Sequence, residues 1–464
     1  MKRFLFTTTI AATLVVALVT TNTSCVKVNF DETQVIDTTG TGGGNVPTTL
    51  QGRIDNSLTL PKGKYTLRGF VYVGSGATLT FAAGSVILAA TDVKTALIIE
   101  VGGKLIADGT ASEPIVFTSD KAVGQRTPGD WGGISICGAA PTNRPLSPAP
   151  VTEGGSNRTY GGTNPNDNSG VLRYVRIEFA GITAENNSEL NGLTLYAVGS
   201  GTVIDYVQTG YCGDDGFEFF GGTVNAKHLV SFATGDDDFD FDFGFSGRIQ
   251  YAVSLRDKYS DDDAANGIEC DNDGTGTSAT PVTKPILSNF TLIGPYDTTG
   301  TAANGSKHGF GNRWRRASRF VLRNSIMLGF KDGGFELTSN ETISDYYTNN
   351  LSEFKNNMVH AYKDPYKIGS NPANTTGVTV DQIKTKAEAD GTTTLATRDD
   401  AQLTDPFNLN NPNFVPKTGS PALTGANYSG LDAFFTTGTF RGAFASENNW
   451  LTGWSNFNPQ NTVY

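Results

Sequence analysis

Four short segments of this sequence repeat one arrangement, in which an acidic residue stands between two apolar residues. A second kind of segment precedes three of them and begins at Asp205, Lys227 and Gln250, at steps of 22 and 23 residues. A repeat of roughly 20 to 30 residues with two or more short strands is typical of a solenoid, in which each coil stacks on the previous one. The four segments are Phe217-Glu218-Phe219, Phe239-Asp240-Phe241, Ile268-Glu269-Cys270 and Phe335-Glu336-Leu337.

The alternation within these segments predicts which side chains form the core. Successive side chains along a strand point to opposite faces of a sheet. In stacked coils the apolar residues therefore point inward, and we expect Phe217, Phe219, Phe239 and Phe241 to stack on one another from coil to coil. The acidic residues between them are expected to form a column on the outside. The predicted fold is all-β, a parallel β-helix.

The composition agrees with such a fold and suggests where it ends. Glycine occurs 55 times and only 17% of the residues are charged, and glycine supplies the positive-φ conformations that tight turns need. Apolar strands broken by turn residues can be followed over residues 51–345, which we assign to the β-helix. Residues 346–464 lose this pattern. Because the exposed end of a solenoid needs a cap, we predict that they form an irregular C-terminal cap on the last coils.

The N-terminus has the features of an export signal. Two basic residues precede an apolar run of 16 residues from Phe4 to Val19, and a small polar stretch then ends at Cys25. This run is short for a membrane-spanning helix. We predict a signal peptide over residues 1–24, lipidation of Cys25 and a flexible Gly/Thr-rich tether over residues 25–50. The alternative is an ordinary secreted protein that is cleaved nearby.

The remaining cysteines do not indicate a metal or redox site. Cys137, Cys212 and Cys270 lie in strand-like segments, and their number is odd. Their positions do not match the ligand spacing of a zinc site. We expect buried free thiols at all three positions.

Negative charge is concentrated in one part of the chain. Between Cys212 and Asp273 there are fifteen Asp and Glu residues and four Lys and Arg residues, which accounts for the formal net charge of −11 of the whole chain. Strands in a sheet lie ~4.8 Å apart, and two carboxylates at that distance repel each other by roughly 3 kcal/mol at an effective dielectric constant near 20. Solvation, bound cations or raised pKa values must relieve this repulsion.

Calcium is the predicted cation. Clustered Asp oxygens and turn carbonyls suit a hard ion that takes about six to eight oxygen ligands. The turn residues on two neighbouring coils are the predicted ligands, and the alternative is that they cap turns and face solvent. The predicted Ca²⁺ ligands are Asp214, Asp215, Asp236, Asp237 and Asp238.

Several longer motifs occur between about residue 60 and the C-terminus: "PGDWGGISICGAAPTN", "YGGTNPNDNSGVLRYVRIEFAG", "GSPAL", "FRGAF" and "NNWLTGW". They resemble a family of right-handed parallel β-helix lipoproteins, with a pectin-lyase-like fold, from the surface of Bacteroidota-type bacteria. The resemblance implies a right-handed β-helix and a lipid-anchored location at the outer membrane. It implies no catalytic residues, because most members have no assigned role.

Two enzymatic alternatives remain open. "CGDDG", "TGDDD" and "KHGFG" resemble motifs of polygalacturonase-like glycosidases, but Lys307 replaces a glycine of that pattern and His308 lies 72 positions after Asp236. A Ca²⁺-dependent lyase would instead use the basic strip over residues 305–324. Within that strip Arg313, Trp314 and Arg315 are candidate ligand-binding residues, with Trp314 as an exposed sugar-stacking platform. The simpler interpretation is that the strip pairs with the acidic column.

The favoured interpretation is a cell-surface lipoprotein. Its acidic face is predicted to bind Ca²⁺ and to engage an extracellular glycan or a surface protein. A β-helix polysaccharide hydrolase or lyase and a structural surface spacer are the alternatives. Nucleic acid is not an expected partner, because phosphate would repel a chain of net charge −11.

Overall fold

A computed structural model of the chain describes residues 47–185, 188–257, 265–295 and 309–464. Their backbone winds into a right-handed parallel β-helix, as predicted, and 26 of the described strands belong to one continuous sheet. Two short antiparallel pairs lie outside that sheet. Neither of the two α-helices among these residues has the length and apolar character needed to cross a bilayer.

The strands are short, because each side of a coil holds only a few residues. The first fifteen are β1 (Thr49–Ile54), β2 (Leu58–Leu60), β3 (Lys64–Val73), β4 (Thr78–Phe81), β5 (Val86–Ala89), β6 (Ala96–Ile99), β7 (Lys104–Asp108), β8 (Ile115–Ser119), β9 (Ile134–Cys137), β10 (Gly170–Glu178), β11 (Thr183–Glu185), β12 (Ser188–Glu189), β13 (Leu193–Tyr196), β14 (Val203–Gly210) and β15 (Phe217–Phe220).

The later strands are interrupted by the two α-helices. The other strands are β16 (Asn225–Phe232), β17 (Phe239–Asp242), β18 (Arg248–Leu255), β19 (Ile268–Cys270), β20 (Ile286–Ile293), β21 (Phe310–Trp314), β22 (Val321–Arg323), β23 (Ile326–Phe330), β24 (Gly333–Leu337), β25 (Glu353–Lys355), β26 (Met358–Ala361), β27 (Asp364–Ile368), β28 (Thr393–Thr394), β29 (Leu403–Asp405) and β30 (Asn413–Pro416). The helices are α1 (Asn340–Tyr347) and α2 (Val380–Ala389), and short 3₁₀ turns lie at Arg398–Ala401, Pro421–Leu423 and Pro459–Asn461.

The longer strands bend around one corner of the coil. Each of β10, β14, β16 and β18 contains one residue with positive φ at the bend, namely Tyr174, Tyr206, His228 and Tyr251. Their rings stack with centroid separations of 4.4, 4.1 and 5.2 Å. A left-handed backbone conformation is unfavourable for residues with a side chain, and the ring stacking at this corner offsets that cost.

The interior is a column of apolar side chains, as the alternation predicted. Phe217, Phe219, Phe239 and Phe241 have no exposed surface. Phe217 stacks on Phe239 at 5.4 Å between ring centroids, and Phe219 stacks on Phe241 at 5.0 Å. Cys137, Cys212 and Cys270 are buried free thiols, also as predicted.

The coils continue beyond residue 345, the predicted end of the β-helix. Strands β25 to β28 pair in parallel with the preceding coils. Helix α2 begins with a capping box between Thr379 and Gln382, and its Ile383 and Ala387 join the interior core cluster. This helix covers the end of the core.

The last part of the chain lies along the side of the β-helix, so it differs from the predicted cap on the last coils. We call residues 420–464 the strap. The side-chain amide of Gln208 exchanges two hydrogen bonds of 2.8 Å with the backbone of Asn456. Gln250 holds Thr436 in the same way, also at 2.8 Å. Other coils contact the strap through Asn289, Asn324 and Asn357.

Candidate metal centre

One side of the β-helix carries the acidic residues. Strands β13, β15, β17, β19, β21, β24 and β27 pair in register along this side. Their inward residues belong to the core, and one outward position forms a column that crosses all seven strands. We call it the outer column, and it contains Thr194, Glu218, Asp240, Glu269, Arg313, Glu336 and Lys367. The outward orientation of the acids agrees with the prediction.

A second column lies in the turns just before four of these strands. We call it the turn ladder, and it consists of Asn191, Asp215, Asp237 and Asn266. The N–H of Asp215 donates to Oδ1 of Asn191 at 3.1 Å, and the N–H of Asp237 donates to Oδ1 of Asp215 at 2.8 Å. The N–H of Asn266 in turn donates to Oδ1 of Asp237. Each side-chain oxygen therefore satisfies the backbone of the next coil, which an amide or a carboxylate can do equally well.

The two columns meet differently at the ends of the turn ladder and at its centre. At the ends, Nδ2 of Asn191 donates to Glu218, and Nδ2 of Asn266 donates to Glu269 at 3.3 Å. At the centre, Asp215 and Asp237 have an oxygen where the amides have an NH₂ group. Among the described residues, no hydrogen-bond donor reaches this second oxygen of either aspartate. Oxygen therefore faces oxygen at the two central coils.

The result is three overlapping groups of carboxylates. In each group, one oxygen of every member lies within 4.8 Å of the others. Asp215, Glu218, Asp237 and Glu269 are all more than nine-tenths buried. Oδ1 of Asp240 is inaccessible to solvent and has no hydrogen-bond partner within the described ranges. The groups are Asp214 with Asp215 and Asp236, Asp215 with Glu218 and Asp240, and Asp237 with Asp240 and Glu269.

The electrostatics of these groups favour a bound positive charge. Burial, reinforced by the neighbouring Asp214 and Asp236, raises the pKa of Asp215 well above its usual range. Burial and then the charge of Glu269 raise the pKa of Asp240 in the same way. The pKa of Glu269 itself is raised by burial to about 7, although Arg315 opposes the shift. A cation among these oxygens would stabilise the ionised carboxylates.

The donor set fits calcium. Every candidate ligand atom in the three groups is a carboxylate oxygen. Ca²⁺ accepts about six to eight oxygens at roughly 2.3–2.6 Å in irregular geometry, whereas Mg²⁺ requires a near-ideal octahedron. Three carboxylates that bind through one or both oxygens provide about half of such a shell or more, and water or a ligand can complete it. Thiols and imidazoles, which zinc prefers, are absent from the three groups.

The structure brings four of the five predicted ligands into these groups. Asp214, Asp215 and Asp236 form one group, and Asp237 belongs to another. Sequence reasoning placed Glu218, Asp240 and Glu269 on the outside of the strands and did not assign them as ligands. Their shared position between two apolar residues was the available signal, because it places the three acids on adjacent strands.

Asp238 is a correction to the prediction. Its side chain and that of Arg256 are completely buried, and Nη1 of Arg256 donates to Oδ2 of Asp238 at 2.8 Å. The hydroxyl of Ser231 donates to Oδ1 at 2.7 Å. Asp238 lies immediately before β17 and points inward, so its carboxylate is neutralised by an internal ion pair. It is therefore not available as a metal ligand.

Arg313 and Arg315 point outward and pair with the acidic column, as the simpler interpretation of the basic strip expected. Nε of Arg313 lies 2.6 Å from Glu336, and Nη2 of Arg315 lies 2.5 Å from Glu269. Trp314 is not an exposed sugar-stacking platform. It is completely buried and stacks on Phe320 at 4.2 Å, because it lies on the inward side of β21.

Several predicted features lie outside the described residues. They are the lipidation site Cys25, and Lys307 and His308 of the hydrolase-like motif. A groove of about 360 Å³ lies between the loop that contains Asn272 and helix α1, and none of the candidate metal ligands lines it. Arg319 lines this groove and forms an ion pair with Asp345 at 2.7 Å.

Comparison with known proteins identifies the fold family. A family model described as pectate-lyase-like β-helix domain matches residues 52–403, about three quarters of the chain. Searches of curated proteins and of solved structures found no significant match. The matched residues include the turn ladder and the whole outer column. The chain therefore belongs to the pectate-lyase-like β-helix domain family.

Proposed function

We propose that this protein is an exported surface β-helix protein whose acidic face binds Ca²⁺ and engages an extracellular ligand through the bound ion. The central observation is the turn ladder. Asparagine at both ends satisfies the outer-column acids, while aspartate at the two central coils leaves oxygens facing oxygens. At the centre, a bound ion would neutralise the facing oxygens, as the amide NH₂ groups satisfy the acids at the ends by hydrogen bonding.

The size of the repulsion favours a cation over solvated turn caps. Two ionised carboxylates separated by about 4.8 Å repel each other by roughly 3 kcal/mol at an effective dielectric constant near 20. Each group contains three such pairs, and Asp215 and Asp240 each belong to two groups. If all these carboxylates were ionised, the nine pairs together would exceed the whole stability of a domain, which is typically about 5–15 kcal/mol. Solvent reaches little of this charge, because four of the seven carboxylates in the three groups are buried.

The rim of the site supports a role in ligand binding. Asp214 and Asp236 are only partly buried, and they form a group with the buried Asp215. An ion held there would face solvent on one side, and oxygens of an extracellular ligand could complete its coordination. We propose a glycan or a surface protein as that ligand.

Location is the second part of the proposal. A signal over residues 1–24 and a tether over 25–50 support export and lipid anchoring at the outer membrane through Cys25. Cells that express the protein would be given labelled fatty acid. We expect the wild type to become labelled and the Cys25→Ala variant to remain unlabelled. Equal labelling of both proteins would disprove the anchor and leave the Ca²⁺ site unaffected.

The Ca²⁺ site is tested by restoring the amide ladder. Asp215→Asn together with Asp237→Asn places an amide at all four positions, so each new NH₂ group can donate to an outer-column acid. We expect the wild type to melt at a lower temperature in chelator and to recover with Ca²⁺. An ion present at 100 times its Kd adds about 2.7 kcal/mol. The double variant should match the Ca²⁺-bound wild type and should not respond to Ca²⁺.

Calorimetry would include two controls. NaCl at matched ionic strength measures screening alone. Asp108→Asn removes a carboxylate from an exposed ion pair with Arg173, and this variant should keep the full Ca²⁺ response. If NaCl stabilises the wild type as much as Ca²⁺ does, the acidic residues are solvated turn caps and the proposed site is wrong.

A further inference from the structure

A second groove lies between the turn that joins β29 to β30 and the end of the strap. The residues that line it are distant in sequence from those of the acidic face. Its volume is about 350 Å³, within the usual range of small-ligand pockets. None of the residues that line it is charged, and five are asparagines. The asparagines are Asn410, Asn411, Asn449, Asn456 and Asn458.

Part of this amide surface is not used by the fold. The side chains of Asn410, Asn411 and Thr452 make no hydrogen bond within the described ranges, and all three are exposed. Asn449 uses only its Oδ1, which accepts from the N–H of Leu451 at 3.3 Å. The groove therefore presents unpaired amide and hydroxyl groups from both of its sides, the β29–β30 turn and the strap.

Packed aromatic rings support the chain segments on both sides of the groove. Trp450 stacks on Phe444 with ring centroids 5.1 Å apart and planes 4° apart, and Phe444 stacks on Phe414 next to the β29–β30 turn. Phe457 lines the groove and packs edge-on against Phe232 of the β-helix at 5.0 Å. This packing supports the backbone of the groove, so the main ordering cost on binding is that of the exposed asparagine and threonine side chains.

We propose that this groove binds a neutral carbohydrate. An amide side chain offers two N–H donors and a carbonyl acceptor, which matches neighbouring sugar hydroxyls that both donate and accept. The partly buried ring of Phe457 offers apolar contact to the C–H face of a pyranose. The uncharged lining provides no counter-ion for a phosphate, a uronate or a metal.

A short peptide is the main competing ligand. Peptide recognition commonly uses a free sheet edge for the backbone or apolar pockets for side chains. This groove has one polar turn, a strap without strands and few apolar side chains. Its dense, uncharged polar lining fits a hydroxyl-rich ring better.

Ligand-observed NMR and then calorimetry would test this site with the full-length mature protein. The probes are short neutral oligosaccharides of glucose, mannose, xylose and galactose, with oligogalacturonate as the charged comparison. We expect binding of at least one neutral series and weaker binding of the charged one. Asn411→Ala and Thr452→Ala, one on each side of the groove, should each weaken binding by about three- to tenfold, as expected for one lost hydrogen bond.

The matched control is Asn448→Ala, because Asn448 is exposed and adjacent to Asn449 without lining the groove. It should bind as the wild type does, and all three variants should keep the wild-type melting temperature. Binding should also persist in chelator, so this site and the Ca²⁺ site can fail independently. Absence of binding to all neutral series, or equal weakening by the Asn448→Ala control, would overturn the proposal.

Discussion

The outer column has two halves that share one backbone geometry and differ in charge. In the acidic half, Glu218 and Asp240 lie on adjacent strands beside the aspartates of the turn ladder. In the alternating half, Glu269, Arg313, Glu336 and Lys367 follow one another in register with opposite signs. The strands pair in parallel in both halves, so the β-helix itself does not require the accumulation of acids.

The two halves also differ in how their acids are neutralised. In the alternating half each acid has a base on the neighbouring strand, and the contacts of Arg313 and Arg315 neutralise the column internally. In the acidic half, the fully buried Arg256 forms its ion pair with Asp238 and not with the outer column. Burial and then the charges of neighbouring acids raise the pKa values of Asp215 and Glu218 well above their usual range. A bound cation, as proposed above, would stabilise the ionised form of these acids.

The largest expected effect concerns the core that both halves share. Phe239 lies under the acidic half, and Phe335 lies in the corresponding position under the alternating half, where it stacks on Phe354 at 4.0 Å. Replacement of either one by alanine should cost about 3–5 kcal/mol of unfolding free energy, because a buried aromatic ring is lost. Denaturant titration in chelator measures both. A loss below about 1 kcal/mol for Phe239→Ala would mean that the inward register is wrong.

An intermediate effect is expected when the alternating half is made acidic. Arg313→Gln removes the base between Glu269 and Glu336. It should cost about 1–3 kcal/mol, because buried carboxylates lose their partner. Added Ca²⁺ should recover part of this loss. Lys363→Gln, which breaks only an exposed ion pair with Asp332, is the control and should change stability by less than about 1 kcal/mol. If Ca²⁺ raises the unfolding free energy of the Arg313→Gln variant by no more than it raises that of the wild type, charge balance does not explain the difference between the halves.

A pH dependence is also expected of the metal-free protein. The folded-state pKa of Glu269 is raised by burial to about 7, above the value of roughly 4.3 in an unfolded chain. The folded state therefore binds a proton at Glu269 more tightly than the unfolded chain does. The stability gained from this proton is complete below about pH 4.3 and is lost as the pH rises through 7. Melting in chelator should thus occur at a higher temperature at pH 5 than at pH 8. With Ca²⁺ this trend should weaken or reverse. A melting temperature in chelator that rises from pH 5 to pH 8 would contradict the raised pKa.

The regular parts of this arrangement could be predicted from the sequence. The alternation of one apolar and one acidic residue correctly placed the four phenylalanines inside and the acids outside, because the side-chain period of a strand is fixed. The same rule applied to β21 would have placed Trp314 inside, between the outward positions of Arg313 and Arg315. The hypothesis of an exposed platform gave more weight to the residue type than to the period.

The turns could not be predicted in the same way. Members of the turn ladder are 24, 22 and 29 residues apart, so no constant spacing reveals them. The three consecutive aspartates in the turn before β17 also lie in three different environments. Asp236 lies at the rim, Asp237 in the ladder and Asp238 in the interior against Arg256. A run of identical residues does not indicate which environment each side chain enters, because the backbone changes direction at each residue.

The strap affects how the protein unfolds. In a simple solenoid each coil contacts only its neighbours, so the array can fray from one end and behaves approximately as a one-dimensional chain of coupled units. Here Gln208, Gln250 and Asn324, which belong to or adjoin different coils, all bind one continuous peptide segment. Loss of any of these coils would therefore strain contacts with coils that are not adjacent to it. We infer that the strap turns a sequence of local openings into a single cooperative transition.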